Sequence, residues 1–176
     1  MRHTTNGILK GMTTHSENTA TIKFPLEKVY QALSSRDYWE FETKNIGDEP
    51  GEVHSFTEQP VEAVLYELLP KAALPEAVRA MVSQDLKLKR VVTFNEPSDN
   101  TATGTVTGDI KGAPVSFNSD VTLSGEGETT ILKAESAIEV KIPMMGPVLE
   151  PKVAGFVDEF LGREASMIEQ WIGENL

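Results

Sequence analysis

Two charged residues stand where the hydrophobic pattern of this chain asks for apolar ones. Arg90 falls on the apolar parity of a strand expected over residues 85–95, in line with Leu86, Leu88, Val92 and Phe94. Glu164 projects from the middle of an apolar helical stripe, between Phe160 and Ile168. Brought together, the two would anchor a ligand's polar head, because a guanidinium fork orients a carboxylate or carbonyl. A structural ion pair, or side chains that snorkel to a cavity mouth or sheet edge, explains the same pattern. That reading carries more weight, since displaced charges mark sites only statistically.

The other candidates say less. His54 sits on the inner parity of a strand over residues 51–57, beside Phe56, as a lone candidate base; a satisfied structural histidine is the stronger reading. Ser119 and Ser136 point inward and offer hydroxyls to a ligand or, more often, to neighbouring backbone. Trp39, Phe41, Tyr66, Phe94, Phe117, Phe156 and Phe160 either wall a cavity or form ordinary core. Met144, Met145 and Met167 are adaptable fillers suited to a pocket mouth.

Much chemistry is absent. The chain has no cysteine, hence no disulfide framework, thiolate zinc site or cysteine nucleophile. His3 and His15 fall in a polar lead-in and no calcium loop is present, so no metal is expected. No nucleophile elbow, phosphate-cradling glycine loop, dinucleotide fingerprint or zinc-protease motif occurs, and no cofactor is expected. The 27 acidic against 16 basic residues give a net charge of −11, which disfavours nucleic acid and anionic membrane surfaces as partners. No apolar run approaches the roughly 20 residues of a membrane span.

The elements that must position these residues follow from periodicity. A helix over residues 151–176 carries Val153, Phe156, Val157, Phe160, Met167, Ile168 and Trp171 on one face. Its rise is on the order of 30 Å, enough to cross a small domain. Burying that face contributes roughly 10–20 kcal/mol gross, an upper bound before conformational entropy is counted. Residues 18–24 alternate as a first strand; Pro25 opens one short helix, and Ser34 or Ser35 caps a second through Tyr38, Trp39 and Phe41. Six further strands are expected over 51–57, 61–69, 85–95, 101–111, 115–124 and 129–142. A short helix lies between 70 and 83, started by Pro75 with Ala77, Val78 and Met81 inward, and Gly146 and Pro147 mark the connection to the terminal helix. At 176 residues the chain reads as a flexible lead-in over 1–17, with Met12 as an alternative start, and one domain over 18–176. The lead-in lacks the apolar core of a signal peptide, so the cytoplasm is the expected address.

The fold class is α+β: strand, two short helices, six strands, one long helix, with a curved antiparallel sheet around the last element. That order resembles the helix-grip fold of the START-like superfamily, which includes birch-pollen-allergen-like (Bet v 1-like) and polyketide cyclase-like proteins. The helix pair after strand one and the full C-terminal helix carry the resemblance. The segment from Gly112-Ala113-Pro114-Val115 through Leu123 to Val140-Lys141-Ile142-Pro143-Met144-Met145-Gly146 and Glu150 is similar to an actinobacterial START-like family of unknown function. The similarity spans about residues 19–172. It implies a hydrophobic cavity between sheet and terminal helix that takes lipids, sterols, polyketides or similar molecules, and it brings no established catalytic residues.

The first functional expectation is a carrier of a small hydrophobic molecule, walled by aromatic and aliphatic side chains with Arg90 and Glu164 as its polar anchor. The second is a cyclase- or dehydratase-type enzyme in the same cavity, with His54, Tyr66 or Glu164 as acid or base. The third is an interaction domain whose hollow is filled by side chains. The absence of catalytic motifs favours the first over the second.

Overall fold

Alternation of apolar and polar side chains drives most of the chain into strands that bury one parity each. The computed structural model describes residues 13–47, 49–69, 76–80, 86–141, 144 and 146–176. Its strands are β1 (Thr13–Ile22), β2 (Glu52–Glu58), β3 (Val61–Leu69), β4 (Leu86–Phe94), β5 (Thr101–Lys111), β6 (Val115–Glu126) and β7 (Thr129–Val140). They form one antiparallel, curved, seven-stranded sheet in the order β1-β7-β6-β5-β4-β3-β2. Helices α1 (Leu26–Leu33) and α2 (Arg36–Asn45) join β1 to β2, α3 (Glu76–Arg79) lies between β3 and β4, and α4 (Gly146–Asn175) closes the chain. The order and the antiparallel sheet are those expected from the sequence.

Hairpin turns join β2 to β3 and tie the meander from β4 to β7. Between β4 and β5, Asp99 and Asn100 adopt positive φ of 52° and 61°, which short polar side chains tolerate. Gly127, at φ 66°, turns β6 into β7. β4 buries every second residue from Leu86 to Phe94, Arg90 included, and β7 does the same from Thr130 to Val140. Residue 142, expected at the inner end of β7, lies outside the described residues, as do Pro75 and Met81 of the short helix.

Two boundaries differ from expectation. β1 begins at Thr13, so residues 13–17, read as lead-in, form a ladder with β7 from Thr13↔Glu139 to Ile22↔Thr130. Hydrophobicity misses this stretch because its inner side chains, Thr14 and Ser16, are polar; the buried Ser16 Oγ has no hydrogen-bond partner among the described residues. Thr14 Oγ1 donates to Glu150 at 2.6 Å, and Asn18 Nδ2 donates to Asp158. Residues 1–12, with Met12, lie outside the described residues. The terminal helix begins at Gly146, not at 151, and Pro151 lies inside it. Pro147 is harmless in a first turn, whereas Pro151 has no N–H to give the carbonyl one turn back. Tertiary bonds hold the turn before it. Leu149 and Glu150 are buried, and Glu150 also accepts the Val140 N–H at 3.4 Å. At the short helices, Pro25 and Ser35 occupy the cap positions of α1 and α2, and neither makes a side-chain cap bond.

α4 packs on β1 and β7 and against α1 and α2. Between sheet and helices lies a core that fully buries Ile22, Tyr38, Trp39, Leu65, Leu123, Ile138, Ile168 and Ile172. The inner face of β5 is kept small by glycine. A Cβ at Gly104 would stand 2.1 Å from the Thr93 carbonyl oxygen, and one at Gly108 2.2 Å from the Phe117 ring. Gly104→Ala therefore forces backbone apart, and we expect a loss of about 1–3 kcal/mol with the fold retained. Urea unfolding checks this as a lower midpoint at unchanged slope; an unchanged midpoint contradicts it.

Candidate functional site

The residues that break the apolar pattern converge on one point inside the molecule. Arg90 projects from the middle of β4 between Leu88 and Val92 and is 0% exposed. Its Nη1 donates to Glu164 Oε1 at 2.9 Å. Its Nη2 donates to Glu42 Oε2 at 2.6 Å and Oε1 at 2.8 Å, and also to Glu67 Oε2. Its Nε donates to Glu67 Oε1 at 3.2 Å. The Phe160 ring covers the guanidinium, with its centroid 4.7 Å from Cζ. Tyr38 completes the cluster by donating its hydroxyl to Glu164 Oε2 at 2.8 Å.

Each acid arrives by local periodicity. Glu67 stands on the inner face of β3 with Val61, Ala63 and Leu65, and Leu65 is the ladder partner of Arg90. Glu42 follows Tyr38 and Trp39 by one helical turn on the buried face of α2. Glu164 comes from α4, 7% exposed. Tyr38 is wedged edge-on against Trp39 and Trp171, at centroid distances of 4.9 and 6.0 Å.

One cation thus faces three carboxyls in a dry interior. Burial pushes the Glu42 carboxyl well above its ordinary 4.5; Arg90 opposes this, while Glu164 and Glu67 reinforce it. Burial and the neighbouring Glu164 and Glu42 likewise raise the Tyr38 phenol. Burial alone would weaken the Arg90 cation, and the three surrounding acids more than reverse that. Burial and the neighbouring acids thus favour the protonated form of Glu42 relative to an exposed carboxyl.

Beside the cluster, between the sheet and α4, lies a cavity of about 20 Å³. Leu33, Trp39, Phe94, Val106 and Ile168 contribute to its apolar wall, and Glu164 is the one charged lining residue among the described residues. The Trp39 indole is fixed by donating Nε1–H to the Leu33 carbonyl at 2.9 Å. The space accommodates a group about the size of one water molecule.

The other expected candidates scatter. Phe117 and Phe156 pack on Leu86 and Leu88, on the far side of Arg90 along β4. Ser119 and Ser136 bond each other at 2.6 Å. His54 is not on the inner face: the β2–β3 register shifts between Val53 and Ser55, so Val53 and Phe56 turn inward and His54 is exposed. Tyr66 is also on the outer face, its ring 5.3 Å from that of His54 and within 5.2 Å of Lys87 Nζ. Tyr38, Glu42 and Glu67 were not singled out from the sequence. The signal for both acids was present, an acid on the apolar parity of β3 and an acid one turn from two aromatics on α2.

Removing the cation strands three acids, so we expect Arg90→Met to lose roughly 3–5 kcal/mol, measured by chemical denaturation. Because its carboxyl is raised in the folded state, Glu42 binds more protons folded than unfolded above 4.5. Its contribution is complete below 4.5 and declines as pH rises through the folded value. Glu42→Gln keeps the shape without the titration. The stability of wild type relative to Glu42→Gln should fall as pH rises above 4.5 toward the raised folded-state value, and a constant difference would refute the raised carboxyl.

Comparison with known proteins places this architecture. The model of the family described as "Protein of unknown function (DUF2505)" matches residues 17–172. An uncharacterised protein of Mycobacterium tuberculosis is 24% identical over 172 residues, covering 90% of this chain and 96% of that one. Among solved structures, norcoclaurine synthase from Thalictrum flavum has a TM-score of 0.60 at 14% identity, covering 99% of this chain and 96% of that one. The Zhui aromatase/cyclase from Streptomyces sp. R1128 has a TM-score of 0.59 at 9% identity, covering 92% and 94%. A START superfamily protein from Mycobacterium smegmatis has a TM-score of 0.54 at 17% identity, covering 92% and 99%. At these identities the likeness is one of fold. The chain belongs to the DUF2505 family and has a helix-grip fold.

Proposed function

We propose that this protein binds a small hydrophobic molecule between the curved sheet and α4, and does so in the cytoplasm. The observation that carries the reading is the apolar cavity under α4 with a single charged group among the described residues, Glu164, in its wall. An apolar enclosure with one polar point is how small-molecule sites gain affinity from burial and orientation from one anchor. Solved structures of similar fold include a START superfamily protein and an aromatase/cyclase, which supports a ligand-binding reading of the fold. Drug-sized ligands occupy roughly 300–1,000 Å³, so the 20 Å³ space receives only one end of a guest. Among the described residues no helix is long and apolar enough to cross a membrane.

The runner-up, a cyclase- or dehydratase-type activity, narrows here. With His54 and Tyr66 on the outer face, acid–base chemistry in the cavity would fall to Glu164, supported by the Tyr38 hydroxyl that donates to it.

Native mass spectrometry of protein purified from its own host tests the binding reading. A co-purifying lipid-like mass is expected. Val106→Leu adds one methylene to the cavity wall and should diminish that mass while the melting temperature changes little. Protein that is empty from its own host, and silent to every apolar probe, would sink the reading.

A further inference from the structure

The composition of the cluster decides what kind of head group the cavity can take. We infer that the guest carries a hydrogen-bond donor at the end that meets Glu164, a protonated amine before a hydroxyl, and that carboxylate-headed molecules are rejected. This rests on the binding reading above.

Arg90 is engaged by acids and is not among the described residues that line the cavity. Each of its nitrogens already donates to a protein carboxyl, Nε to Glu67, Nη1 to Glu164 and Nη2 to Glu42 and Glu67. The Phe160 ring lies over the guanidinium. The Tyr38 hydroxyl, the other donor of the cluster, points to Glu164. What faces the cavity is therefore an acceptor. A carboxyl group has about four lone-pair sites, and Glu164 has taken one bond on each oxygen, from Arg90 and from Tyr38. Capacity remains for a donor from the cavity side.

Charge and size agree. The cluster sets Glu42, Glu67 and Glu164 against the single cation of Arg90. A guest carboxylate would bring another anion into a desolvated group of acids, whereas an ammonium supplies both donors and the missing positive charge. Around Glu164 the cavity holds about 20 Å³, the room of an ammonium or hydroxyl rather than a carboxylate.

The test uses octylamine, octan-1-ol and octanoate, which share one apolar body, titrated below their aggregation limits into the full-length ¹⁵N-labelled protein near neutral pH. Amide shifts at lining residues such as Leu33, Val106 and Ile168 report entry. We expect octylamine to bind most tightly, octanol next, and octanoate roughly tenfold or more weakly than the amine. The surface charge of −11 attracts any amine, so the titration is repeated on Glu164→Gln, which should reduce the amine to the affinity of the alcohol. Octanoate binding as tightly as octylamine, or an amine affinity unchanged in Glu164→Gln, overturns the donor-head inference and leaves hydrophobic binding standing. No shift at the lining amides with any of the three overturns the binding reading itself. The ranking on wild-type protein stands whether or not the variant folds.

Discussion

Arg90 has no surface in contact with water, and much of the interior is arranged around that fact. Removing a guanidinium from water costs several kcal/mol even after the surroundings relax, so the fold requires acids to meet it. They come from β3, α2 and α4, as Glu67, Glu42 and Glu164. A turn of either helix by one residue, about 100°, would carry its carboxyl away from the cation. Replacing such buried charges with apolar groups is often neutral or even stabilising in other proteins. The consequence of this cluster is thus one of arrangement: it gives α2 and α4 one rotation each above the sheet. A greasy contact alone tolerates several.

The same device recurs, in milder form, where α4 meets the sheet edge. The inward side chains of β1 include Thr14 and Asn18, polar groups that a helix of purely apolar underside would leave unsatisfied. Helix carboxylates answer them: Glu150 accepts from Thr14 and from the Val140 backbone, Asp158 from Asn18, and Glu169 from the Lys23 backbone at 2.7 Å. An acid-rich chain here uses its carboxylates as acceptors that dock a long helix lengthwise, beside the apolar stripe that supplies the bulk of the burial.

Where periodicity was pure, the sequence could be read directly. β5 runs over residues 101–111 as its alternation indicates, and Arg90 and Glu164 meet because both sit on faces that must be buried. Legibility failed where polar groups satisfy one another across the fold. The start of β1 has no hydrophobic signal, since its partners lie on a helix distant in sequence. The first turn of α4 was hidden behind Pro151, whose missing bond is offset by tertiary contacts that local propensity cannot register. His54 went to the wrong face because one bulge inverts the parity of everything on one side of it. Glu42 and Glu67 were overlooked for a simpler reason. A buried acid is improbable until its counter-charge is known to be in reach, and only the folded chain brings β3, β4 and α2 to one place.

The alternation Leu88–Arg90–Val92 along β4 also divides the interior. On one side Leu86 and Leu88 gather Phe117 and Phe156; on the other, Val92 and Phe94 face the cavity. Gly108 leaves the space in which the Phe117 ring lies against β5. The second side holds the cavity. The charged layer between them ends the apolar interior at a depth determined by a single strand position, and Glu164, reaching down from α4, is the face of that layer turned toward the cavity. Of the charges in the cluster, Glu164 alone is among the described residues that line the cavity, while it too is bonded to Arg90.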